Sequence, residues 1–167
     1  MNSILKNIVV AVSGAHSSVI AAMYGIALAK KLKIKMKAVY VVDTATLKYL
    51  SAAKFLSSDE RDEYKTSLSN EGKHCLEYID GLAKSKGVVI ETELVEGAVG
   101  TEIIRAADSF KADLILVGGK ENPSSYIDAD QERKSVLAHA RSNIVNYAHC
   151  PVLVVNKPNM EALFKVL

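Results

Sequence analysis

Polar and apolar positions along this chain alternate between two periods. Ile8 to Val12, Met36 to Val42, Leu114 to Val117 and Val152 to Val155 are short, almost continuous apolar runs, the pattern of strands covered on both faces in a parallel sheet. A further run, Val88 to Val95, places Glu91 and Glu93 in alternation with Ile90, Thr92 and Leu94, which suits the edge of a sheet. Between these runs the apolar residues recur at helical spacing. Ser17 or Ser18 is placed to cap a helix reaching about Leu32, with Val19, Met23, Ile26 and Ala27 as its stripe. Residues 44–58 read as a short amphipathic turn or helix followed by a break. Ser57 with Glu60 then makes a capping box for a helix ending near Lys86, with Leu68, Cys75, Leu76, Ile79, Leu82 and Ala83 facing inward. At about 1.5 Å per residue that helix is about 40 Å long, and its charged first half is expected to project past the sheet or to kink. Gly100 or Thr101 to Lys111 and about Ser135 to Ala148 are the remaining long helices. A short amphipathic helix can begin at Asn159.

Strict alternation of strand and helix predicts an α/β fold: one doubly wound, five-stranded parallel sheet in the order 3-2-1-4-5, with helices on both faces. Residues 1–156 form the domain, and residues 157–167 are a C-terminal tail. A length of 167 residues is enough to bury one ordinary core without staples. A hydrophobic fraction of 49% against 24% charged residues excludes a disordered chain.

Charge excludes little else. The net value is only +2, and the densest basic run, Lys30, Lys31, Lys33, Lys35 and Lys37, falls where a helix C-terminus favours cations. No nucleic-acid partner is expected from it. No secretory signal, membrane-spanning stretch or targeting tail is recognisable, so a cytoplasmic setting without membrane insertion is expected, with Cys75 and Cys150 reduced and packed as small hydrophobes. His16, His74, His139 and His149 lack metal-ligand spacing, and no metal site is expected.

In an open α/β sheet, ligands bind beyond the carboxyl ends of the strands where the strand order reverses. The loops after strands one, two and four therefore deserve the search, and two of them open with glycine, which lets backbone amides approach a phosphate. Ser13 and Gly14, Val41 at the end of strand two, and Gly118, Gly119 and Lys120 are the candidate cleft residues. A tight turn leaving a strand explains the same glycines.

The segments KNIVVAVSGAHSS, AVYVVD, VEGAVGTEIIRAA, ADLILVGG and AHCPVLVVN, in that order, resemble the universal stress protein family over about residues 5–156. That resemblance implies a cytoplasmic stress-response domain, either a binder of ATP or AMP or a member that binds no nucleotide. ATP-binding members carry a G-x2-G-x9-G-[ST] pattern after strand four. Gly118 matches its first glycine, while Glu121, Ala138 and His139 stand where the second glycine, the last glycine and the hydroxyl residue are expected, and the loop is longer. Those members also place an aspartate after strand one, where this chain has Ser13. Physically, Glu121, Asp128, Asp130 and Glu132 set carboxylates where amides would meet phosphates, opposed by Lys120, Arg133 and Lys134. Two like charges about 4 Å apart repel by about 4 kcal/mol at an effective dielectric near 20, half of the roughly 8 kcal/mol in a micromolar complex. No cofactor is therefore expected, with ATP or AMP as the alternative. Lys120 or Ser124 and Ser125 could still hold a phosphate if the loop points outward.

The loop after strand one, VAVSGAHSS, is also similar to the S-G-G-x-D-S loop of ATP pyrophosphatases: Ser13, Gly14 and Ser18 match, but Ala15 and Ser17 replace the second glycine and the aspartate. An adenylating or ATP-hydrolysing enzyme is the remaining alternative. No nucleophile elbow or Walker loop is present, and no catalytic residue is assigned. The leading expectation is a non-enzymatic regulatory or binding module with a degenerate nucleotide cleft. It is expected to dimerise through the apolar edge Val152, Leu153, Val154 and Val155, as universal stress proteins pair their final strands, and to engage a possible protein partner.

Overall fold

The computed structural model describes residues 3–119 and 130–167, with side chains from 138 onward in the second part. Five parallel strands form one sheet in the order β3-β2-β1-β4-β5. They are β1 (Asn7–Val12), β2 (Lys35–Asp43), β3 (Glu91–Gly97), β4 (Leu114–Gly118) and β5 (Val152–Val155). The predicted order and class are correct, and β5 spans the expected residues.

The alternating pleat of each strand feeds two cores. On one face Ile8, Val10, Met36 and Ala38 pack against α1 (His16–Leu32), α3 (Ser58–Ser85) and α6 (Met160–Lys165). On the other, Val9, Val39, Val41, Ile115 and Val117 pack against α4 (Val99–Phe110) and α5 (Asp130–Tyr147). The remaining helix, α2 (Thr44–Ala52), follows β2 directly; Asp43 caps it by accepting from the Thr46 amide at 3.0 Å and its hydroxyl at 2.7 Å.

Local chemistry explains where elements start. Ser57 and Glu60 form both halves of the predicted capping box, with Ser57 N donating to Glu60 at 2.8 Å and Glu60 N to Ser57 at 3.2 Å. The Ser57 amide holds the Glu60 carboxyl below its ordinary pKa. Three boundaries differ from expectation. The β3 ladder begins at Lys37↔Glu91, because Val88 and Ile90 are buried before it and the Val88 amide closes α3 onto Ala83 O at 2.9 Å. Helix α5 begins at Asp130, ahead of its first apolar position. Helix α1 begins at His16 with Ala15 as its N-cap, so neither Ser17 nor Ser18 is the cap.

The tail folds back on its own domain. Met160 and Phe164 are buried in the core on the α1 side, Lys30 Nζ donates to Leu167 O at 2.9 Å, and His16 Nε2 lies 3.3 Å from Glu161. Among the described residues, β5 pairs with β4 alone and its outer edge is uncovered.

Candidate functional site

The carboxyl ends of β1 and β4 lie side by side where the strand order reverses, so this is where the loop residues 13–18 meet Gly118 and α5. The residue that shapes the first loop is Ser18. It is 3% exposed, the single buried polar residue among those described, and its hydroxyl donates to Ser13 O at 2.8 Å and accepts from Ser13 N at 3.1 Å. The Ser13 hydroxyl in turn accepts from Ala15 N at 3.2 Å. Two loop amides are thus bonded within the loop itself, and the Ser18 hydroxyl is turned inward.

Gly14 is exposed, but a side chain from across the fold reaches it. The carboxylate end of Glu71, on α3, rests against it, and a side chain at Gly14 would have to displace that carboxylate. Glu71 gets there because its neighbour is Gly72: a Cβ at Gly72 would stand 2.5 Å from the Tyr40 ring and 2.6 Å from Leu94, so only glycine lets α3 approach the sheet this nearly.

Gly118 likewise has a packing reason. A Cβ there would lie 2.6 Å from the Ser17 carbonyl carbon and 2.7 Å from its oxygen, so the end of β4 abuts the first turn of α1. Gly119 continues the sheet by donating to Val155 O at 3.0 Å. Arg141 of α5 reaches into the same place and donates to Gly118 O at 3.1 Å.

What space remains is a cavity of about 60 Å³, lined by Ser13, Ser18, Val99, Gly118, Ala140 and Arg141 among others. Small-molecule sites are usually about 300–1,000 Å³. A larger groove, about 540 Å³, runs along α3, but Asp62, Glu63, Thr66, Ser67 and Asn70 all come from that one helix, and among the described residues no second element supplies converging groups.

The expected cleft residues therefore separate. Ser13 and Gly118 line the cavity. Gly14 is exposed and touched by the end of Glu71, Gly119 is bonded to β5, and Val41 is buried in the core against α4. Lys120 and Glu121, with Ser124, Ser125 and Asp128, fall outside the described residues. Ala138 and His139 are exposed and sit within α5 rather than at its start. Glu71 and Arg141 were missed by sequence reasoning. Arg141 was accessible in principle, because it stands three positions before the buried Ile144 and so shares its face; the signal for Glu71 was the mid-helical Gly72 beside it.

Carboxylates crowd this end of the sheet. Glu96 pairs with Lys65 at 2.9 Å and Glu102 with Arg105 at 3.0 Å, and Asp43 is engaged in capping. Neither thiol is activated: burial raises Cys75, with a smaller push from Glu71, and burial raises Cys150, helped by Asp108 and Asp113. Both are half-buried rather than fully packed. Among the described residues, no cluster of His, Cys, Asp and Glu could hold a metal ion, and no helix is long and apolar enough to cross a membrane.

Comparison with known proteins agrees with this fold. The model of the universal stress protein family matches residues 5–156. A universal stress protein of Methanocaldococcus jannaschii is 32% identical over 96% of this chain and 92% of its own length. A universal stress family structure from Burkholderia pseudomallei superposes with a TM-score of 0.70 at 22% identity, covering 94% of this chain and all of that one. A universal stress protein from Archaeoglobus fulgidus, solved in complex with dAMP, superposes at 0.59 with 16% identity, covering 92% of this chain and all of that one. With the sheet order, the glycine-bearing strand ends and these matches together, the chain belongs to the universal stress protein family.

Proposed function

We propose that this protein is a non-enzymatic, homodimeric regulatory module whose nucleotide cleft is degenerate. The observation that carries the reading is the Glu71 carboxylate seated on Gly14. A phosphate brought to the loop after β1 would meet a carboxylate, two amides already bonded within the loop, and a cavity of about 60 Å³. Repulsion of about 4 kcal/mol from one such carboxylate would move a micromolar nucleotide site towards the millimolar range. Ser18 supports the same view against an adenylating enzyme, since its hydroxyl serves the loop and not a ligand.

The dimer rests on β5. Its outer edge is unpaired among the described residues, Leu153 is 37% exposed, and the tail that could have covered the edge packs on α1 instead. An apolar edge with free backbone donors and acceptors pairs with another chain, and a two-fold contact closes without leaving a second edge. The domain of 1–156 then carries the dimer, and 157–167 braces α1.

One observation favours a second reading, an AMP- or ATP-binding member: Arg141 uses one donor on Gly118 O, and its guanidinium has further donors at the cavity. Mass spectrometry of the purified protein separates the two. The proposal expects no stoichiometric nucleotide, whereas co-purified ATP or AMP near one per chain supports the alternative. Sedimentation tests the assembly: a species of about twice the 18.1 kDa chain is expected, reduced to monomer by Val154→Lys. A wild-type monomer at micromolar concentration, or a dimer that survives the substitution, contradicts the strand-paired dimer.

A further inference from the structure

In a parallel α/β sheet all strands begin, and all crossover helices end, at the same end. This architecture brings together lysines that are far apart in the sequence. Lys31, Lys33 and Lys35 leave α1 and enter β2, Lys6 precedes β1, and Lys111 follows α4. The Lys35 amide donates to Lys6 O at 2.8 Å, and Asn7 Nδ2 donates to Lys111 O at 3.1 Å, so these segments are direct neighbours. Two further lysines, Lys30 and Lys86, join the C-terminal helix to this end, donating to Leu167 O at 2.9 Å and Lys165 O at 3.3 Å.

The nearby carboxylates are largely engaged elsewhere, and Asp113 is the one whose carboxyl is lowered, mainly by the Asn7 amide and in part by the charge of a patch lysine, Lys6. Asp80 is paired with Lys84 at 2.6 Å, Asp108 with His149 at 2.9 Å and Glu91 with Lys37 at 3.5 Å, while Asp113 accepts the backbone amides of Lys6 and Asn7 at 2.8 and 3.0 Å. Lys31, Lys33, Lys35 and Lys111 form no ion pair among the described residues. Helix C-termini account for some cations here, but the macrodipole acts only over the last turn. It does not explain Lys6 or Lys35, nor what lies between the lysines.

Four aliphatic side chains stand exposed at this same end: Ile4 at 94%, Val89 at 90%, Val166 at 83% and Leu32 at 53%. Val89 lies two residues before the first β3 pair, Glu91 with Lys37, and Ile4 lies two residues before Lys6. No arginine stands in the patch, and its exposed apolar residues are mainly aliphatic, with Tyr147 at the end of α5 as an exposed aromatic at this end. Nucleic-acid surfaces favour arginine forks and aromatic stacking. Lysines interleaved with aliphatic side chains instead match adsorption to an anionic lipid surface, where ammonium groups meet phosphates and short apolar side chains enter the headgroup region.

We propose that the amino end of the sheet is a peripheral docking face for an anionic phospholipid bilayer. The face is opposite the cleft and needs no membrane span. It is also independent of whether the cleft binds nucleotide.

Flotation of the full chain with lipid vesicles tests this. Binding to phosphatidylcholine vesicles containing about one-third phosphatidylserine is expected, with none to phosphatidylcholine alone, and it weakens as salt rises to about 0.3 M. The triple variant Lys6→Gln, Lys31→Gln, Lys35→Gln loses about tenfold or more in partitioning. A control triple elsewhere, Lys48→Gln, Lys73→Gln, Lys157→Gln, stays within about twofold, and Ile4→Ser with Val89→Ser loses about threefold. All these positions are exposed, and circular dichroism confirms that each variant folds. Absence of binding to anionic vesicles at low salt overturns the proposal, as does equal loss in the control triple or no loss in the aliphatic pair. Tighter binding to a polynucleotide than to the vesicles, with the same lysine dependence, reassigns the face to nucleic acid and overturns the lipid docking.

Discussion

The two ends of the sheet are built on opposite plans. At the carboxyl end, where a ligand is expected in this architecture, the protein's own groups fill the space: Glu71 on Gly14, Ser17 against Gly118, Arg141 on Gly118 O, and Ser18 bonded into the loop. At the amino end nothing converges. Lysines and aliphatic side chains point outward, and the carboxylates present are already paired or bonded to the backbone. The difference teaches that position in a fold names where to look, while the contacts of individual side chains decide what the place can do. Here the described residues at the topological switch point bond largely to one another, and the end usually ignored carries a chemically distinct surface.

Substitutions should separate the two ends by what they cost. The largest effect is expected from Gly118→Val, because a side chain 2.6 Å from the Ser17 backbone must push β4 and α1 apart. Overpacking of this kind costs roughly 3 kcal/mol, measurable as a lowered urea midpoint, and an unchanged midpoint would show that the carboxyl end is loosely joined.

Ser18→Ala is expected to cost less, about 1 kcal/mol, because it removes the partner of the Ser13 amide and carbonyl in a part-buried loop. Chemical denaturation checks it, and a neutral result would remove Ser18 as the residue that shapes the loop.

At the amino end, Asp113→Asn should cost on the order of 1 kcal/mol at neutral pH, through loss of charge-assisted bonds from the amides of Asn7 and Lys6. Those bonds hold the Asp113 carboxyl below its ordinary range, the Asn7 amide contributing most. A depressed folded pKa contributes stability above the unfolded value near 3.9, and that stability is lost as pH falls through the folded value. The gap between wild type and variant should therefore close below about pH 4, as followed by denaturation at a series of pH values. A gap independent of pH would contradict the assignment.

Most of the fold was legible because a parallel sheet writes itself as apolar runs, and Val152–Val155 shows this at its simplest. The errors came where burial and strand pairing part company. Val88 and Ile90 look like strand residues because they are buried, yet the end of α3 buries them and the ladder begins only at Glu91. The start of α5 was invisible because its first residues, DQERK, carry no apolar periodicity. Serine preference at helix ends pointed to Ser17 or Ser18 as the α1 cap, whereas the Ser18 hydroxyl turns back to Ser13 and Ala15 from inside the first turn.

The site was less legible than the fold for a physical reason. Glycines after strands were visible, but a glycine that admits a phosphate and one that admits a neighbouring backbone look identical in sequence. Glu71 lies 57 positions from Gly14, on a helix that carries many other charged residues, so nothing local marks it as different from Glu63 or Glu77. Gly72 was the available clue, since a glycine inside a helix costs about 1 kcal/mol and often marks a close approach.

Thermal unfolding with and without ATP and Mg²⁺ tests most directly whether the carboxyl end is closed to nucleotide. A ligand present at 100 times its dissociation constant stabilises by about 2.7 kcal/mol, which for a chain of this size raises the midpoint by several degrees. With wild-type protein and millimolar nucleotide, a shift below about one degree is expected, and a shift of several degrees at micromolar ATP would contradict a cleft closed by Glu71 and the loop after β1.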